Sequence, residues 1–182
     1  MLVAIAIFSI MTAGMLLARQ GAERSTEFQA LAQEAALIVR QAQTYGAGGR
    51  LADFGGGSLF DRVGVQVNRS SDELTIYAND PGTNEWYQEG SSDAAVEGFS
   101  LPKNFTIDQL CTVDNPDSNS PCGGENLEKA AAVYKRPAPS ATIYESDGSF
   151  DTSSENNLVV GLKFGAETEY IVVGKAGYTY VK

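Results

Sequence analysis

Residues 1–18 read MLVAIAIFSIMTAGMLLA, and residues 19–46 continue RQGAERSTEFQALAQEAALIVRQAQTYG. The first stretch carries no charged side chain across eighteen residues. As a helix it rises about 27 Å, close to the hydrocarbon thickness of a bilayer. A secretory signal peptide opens on a basic segment and closes on small residues before a cleavage site. Here no basic residue precedes the run, and Arg19-Gln20 follows it. A buried core helix seldom needs so long a run without charge, so a membrane anchor is the better fit. The second stretch is amphipathic and free of proline. Phe28, Leu31, Ala35, Ile38, Val39 and Ala42 recur at spacings that share one helical face. Glutamate and glutamine occupy much of the remainder. Gly46-Ala-Gly-Gly is expected to stop the helix. Residues 1–45 thus predict one helix about 68 Å long, apolar all round in 1–18 and with one apolar stripe in 19–45. Such a rod is satisfied by lipid, by a bundle of like rods, or by both.

Beyond that helix the composition changes. The chain has 182 residues, 43% of them hydrophobic, and a net charge of −10. Residues 1–46 balance Arg19, Arg24 and Arg40 against Glu23, Glu27 and Glu34, so the whole acidic excess falls on the remainder. Such a domain is repelled by phosphate backbones, which makes nucleic acid an improbable partner, and its acidity suits solubility outside the cell. Alternating runs at 63–67 and 74–78 flank a turn at 68–72. Further strands are expected at 104–110, 131–135, 141–144, 158–163, 169–173 and 178–181, the last two joined by a Gly174–Gly177 hairpin turn. A glycine-rich loop over 46–57, with three glycines at 55–57, divides the N-terminal helix (1–45) from a β-rich domain (46–182). The fold class is α+β, a long N-terminal helix packed on an antiparallel β-sheet, with the face Phe28, Leu31, Ala35, Ile38 and Val39 covering the sheet.

Chemistry leaves few traces. The chain lacks histidine, which removes Ser-His-Asp and Cys-His catalysis. Gly46-Ala-Gly-Gly-Arg-Leu51 departs from the dinucleotide fingerprint at its third glycine and follows a helix instead of a strand. No enzymatic activity and no resident cofactor are expected. Cys111 and Cys122 cannot make a four-ligand zinc site alone and are too far apart for a redox pair. A disulfide closing a surface loop, formed in an oxidising compartment, is favoured. Glu145, Asp147, Ser149, Asp151, Ser153 and Glu155 alternate oxygen side chains around Gly148. Asp147, Ser149, Asp151 and Glu155 could line a calcium loop, but a solvated loop is the cheaper reading.

The string Met-Leu-Val-Ala-Ile-Ala-Ile-Phe at 1–8, and the amphipathic helix after it, resemble the type IV pilin and type II secretion pseudopilin family. Val39-Arg-Gln-Ala-Gln-Thr-Tyr-Gly46 is similar to the helix end of small pilin-like proteins. More weakly similar are Leu74-Thr-Ile-Tyr-Ala-Asn-Asp80 with Trp86-Tyr87, Lys135-Arg-Pro137, and the final strand at 177–182. The family's cleavage motif and assembly glutamate would fall just before Met1, so neither is assignable in this numbering. The resemblance implies a structural subunit, major or minor, of a type IV pilus or secretion pseudopilus. Leu2, Val3, Ile5, Ile7, Phe8, Ile10, Leu16 and Leu17 would form its assembly helix. Implied partners are like subunits, membrane lipid before assembly, and prepilin peptidase on a full-length precursor. The implied location is the inner membrane, single-pass, with an extracytoplasmic domain. The alternative is a membrane-anchored extracellular binding domain that never polymerises.

Overall fold

The structure is a computed structural model that describes residues 2–48, 62–79, 87, 94–117, 121–123, 126–135, 140–146, 150–152 and 156–182. Within helix α1 (Leu2–Gly48) the side chains at 2–10, 13, 16–18 and 20–22 fall outside that description. The chain divides into two compact units, Met1–Leu31 and Ala32–Lys182.

Ten strands follow α1 among the described residues: β1 (Arg62–Asn68), β2 (Glu73–Asn79), β3 (Ala94–Ser100), β4 (Thr106–Val113), β5 (Lys129–Lys135), β6 (Ala141–Ser146), β7 (Phe150–Thr152), β8 (Asn157–Phe164), β9 (Glu167–Gly174) and β10 (Thr179–Val181). They form two antiparallel sheets instead of the single sheet expected. One has the order β3-β2-β1-β5-β6-β7 and the other β10-β9-β8-β4. The chain leaves the first sheet after β3, adds β4 to the second against β8, and returns for β5 to β7. That excursion ties the sheets together. Asp72, in the left-handed region at φ 52°, holds the crossing point. Its carbonyl accepts Leu101 N–H at 3.0 Å and its carboxylate accepts Ile107 N–H at 2.7 Å. Aspartate tolerates this conformation better than most residues because its short polar side chain bonds locally.

The α+β class is as expected, with the N-terminal helix packed on antiparallel sheets. Register shows why. In the six-stranded sheet Val63, Val65 and Val67 stand opposite Ala78, Ile76 and Leu74 on one side and opposite Tyr134, Ala132 and Ala130 on the other. These residues share one face, and all are buried. In the second sheet Leu110, Val160 and Ile171 lie in one row, with Leu158 and Val173 beside them. The helix positions Ala32, Ala35, Ala36, Val39 and Ala42 are buried too. Mostly alanine, this stripe loses little side-chain entropy and lets backbone come close.

Four expectations need correction. The helix does not stop at residue 45 but runs through Gly48. A Cβ at Gly46 would lie 2.6 Å from Tyr134 Cβ, so this glycine serves close helix–sheet packing inside the helix. Strand β3 was not expected. Its sequence AAVEGFS alternates poorly, it lies at a sheet edge, and its pairing with β2 is interrupted by a bulge at Ile76/Tyr77. The strand expected at 104–110 is β4, shifted to Thr106–Val113. The supposed loop after Tyr144 contains the end of β6 and all of β7, with Glu145 opposite Asp151. The 68–72 turn and the hairpin joining β9 to β10 lie where expected.

Candidate functional site

Helix α1 is the element on which a function was expected, and its two units differ in what surrounds their side chains. In the first unit Met11 and Met15 are 65% and 75% exposed. Arg19 Nε donates to Glu23 Oε1 at 2.8 Å one turn away, with both side chains largely exposed. An ion pair so placed is screened by water and contributes about 0–1 kcal/mol. Leu2, Val3, Ile5, Ile7, Phe8, Ile10, Leu16 and Leu17 all lie on α1, with side chains outside the described residues. Among the described residues no helix is long and apolar enough to cross a membrane. Most side chains of the uncharged run 1–18 stand outside that set.

Of the expected sheet-covering face, Phe28, Leu31, Ala35, Ile38 and Val39 are all buried. Within the second unit, polar side chains then fix the end of the helix to three places. Arg40 Nη2 donates to the Thr179 carbonyl in β10 at 2.7 Å. Gln43 Nε2 donates to the Gly177 carbonyl at 2.7 Å. Gln41 Nε2 donates to Glu97 Oε2 on β3 at 2.7 Å and to the Tyr45 hydroxyl at 2.8 Å. Bonds with a charged partner contribute more than neutral ones, about 1.5–3 kcal/mol. Leu37, on the other side of the helix, remains 59% exposed. Beneath the helix Tyr134 is fully buried, its hydroxyl has no hydrogen-bond partner among the described residues, and burial pushes its pKa far above the ordinary tyrosine range.

Cys111 and Cys122 form the disulfide, with Cα atoms 5.5 Å apart. It sits on the outer face of the second sheet, clustered with Val159 and Val172 and flanked by Val113, Tyr170 and Tyr180. The segment it closes is held by Asn157, which is 2% exposed. Asn157 Nδ2 donates to the carbonyls of Val113 and Asp114 at 3.1 and 3.0 Å, and its Oδ1 accepts from the Tyr178 hydroxyl. Asn156 Nδ2 donates to Asp114 Oδ1 at 2.6 Å, and Lys182 Nζ to the Pro116 carbonyl at 3.2 Å. A strand-start asparagine gives no sequence signal for such a role, and none of these partners was expected.

Of the possible calcium ligands, Asp151 lies in β7, while Asp147, Ser149 and Glu155 are outside the described residues. The neighbouring Glu145 carboxylate accepts from Thr112 Oγ1 on β4. Among the described residues no group of three or more His, Cys, Asp or Glu could hold a metal ion. A polar cleft of about 360 Å³ lies between the β1–β2 turn and β4, lined by Arg69, Ser70, Asp72, Thr106, Ile107, Asp108 and Glu128. Three of its charged groups, Arg69, Asp72 and Asp108, are engaged in holding the fold. Arg69 Nε donates to the Leu127 carbonyl, Asp72 accepts Ile107 N–H, and Lys163 donates to Asp108. No family model, no curated protein and no solved structure matches the chain.

Proposed function

We propose that the chain is a structural subunit of a filament of the type IV pilus or type II secretion pseudopilus kind, held in a membrane by residues 1–18 before assembly and packed through the same helix afterwards. The observation that carries this reading is the division of one unbroken helix, Leu2–Gly48, between two compact units. Its last third belongs to the β-rich unit and has its apolar stripe buried there. The unit Met1–Leu31 begins with eighteen uncharged residues and exposes Met11 and Met15. Exposed methionine on such a helix is satisfied by lipid tails, and equally by the helices of neighbouring copies, so transfer between the two nearly conserves apolar burial. Arg19 closes the run where a cation reaches the membrane surface.

Charge substitution tests the reading. Ile5→Glu or Ile7→Glu places a carboxylate in the helix bundle and should abolish sheared filaments seen by electron microscopy. The thermal transition of the β-rich unit should stay unchanged. Filaments formed normally by either variant would contradict the reading. A wild-type protein that fractionates with membrane and never polymerises would favour the anchored binding domain.

A further inference from the structure

We draw no further inference here: the strongest candidate, the apolar groove along helix α1 lined by Arg19, Glu23, Thr26, Glu27 and Ala30, lies on the helix already proposed for filament packing, and nothing in the structure shows what covers it.

Discussion

Gly14 and Gly46 occupy the same helix and have opposite surroundings. Among the described residues nothing lies within 4 Å of a Cβ built on Gly14, whereas one built on Gly46 would meet Tyr134 at 2.6 Å. The first belongs to the unit Met1–Leu31 and the second to the unit Ala32–Lys182. The difference teaches that one helix answers to two selective conditions. In the second unit Gly46 is set by what it packs against. In the first, residues 1–18 carry no charged side chain, and Gly14 meets no comparable demand on shape among the described residues.

The largest stability effect should come from Gly46→Val, which forces a β-branched side chain against Tyr134 and should cost about 3 kcal/mol, read as a fall in the unfolding temperature of the β-rich unit. Little or no fall would erase the contrast with Gly14. Replacing Cys111 and Cys122 together by alanine should cost about 2–3 kcal/mol by freeing the unfolded chain, yet leave filament assembly intact at low temperature. Loss of assembly in a still-folded pair variant would show that the two units are coupled.

Smaller effects sharpen the same division along the helix. Val39→Ala should cost about 2 kcal/mol, and Leu37→Ala, on the exposed side, less than about 0.5. Equal costs measured in urea would mean that both faces are covered. Tyr134→Phe should be neutral or mildly stabilising, since it removes a buried hydroxyl that has no partner among the described residues. The same variant tests the pKa. In the folded chain Tyr134 holds its proton above the ordinary tyrosine value of 10.0, so stability present below pH 10 is lost as pH rises beyond it, where only the unfolded chain releases the proton. Tyr134→Phe should flatten that alkaline decline, and an unchanged slope would assign it to other groups. Gly14→Ala should leave stability unchanged or raise it by a few tenths of a kcal/mol through helix propensity.

What could be read before the structure follows the same line. The helix was legible because its pattern repeats over dozens of residues, and strands β1, β2, β8 and β9 because runs rich in β-branched residues are bounded by turn residues. Strand β3 was hidden because an edge strand with Glu97 and Gly98 exposed needs no apolar alternation. Gly46 misled for a definite reason. A glycine near a helix end signals a cap, and nothing local separates that from a glycine required by a tyrosine eighty-eight residues later. The packing of the Tyr178 ring against Gly174 and the Asn157 clasp depend on cross-strand register and on the return path of the disulfide segment. Both are set by topology, which no local window contains.

Filament packing through the first unit can be tested with a single thiol. The two native cysteines are joined to each other and none is free, so Met15→Cys adds one reactive group on the exposed side of α1. Mild oxidation of cells carrying this variant should yield disulfide-linked dimers on a non-reducing gel, and the same treatment of an Ile5→Glu, Met15→Cys double variant should yield none. Monomer alone from a membrane-located Met15→Cys chain whose thiol reacts freely with maleimide would contradict assembly through this helix.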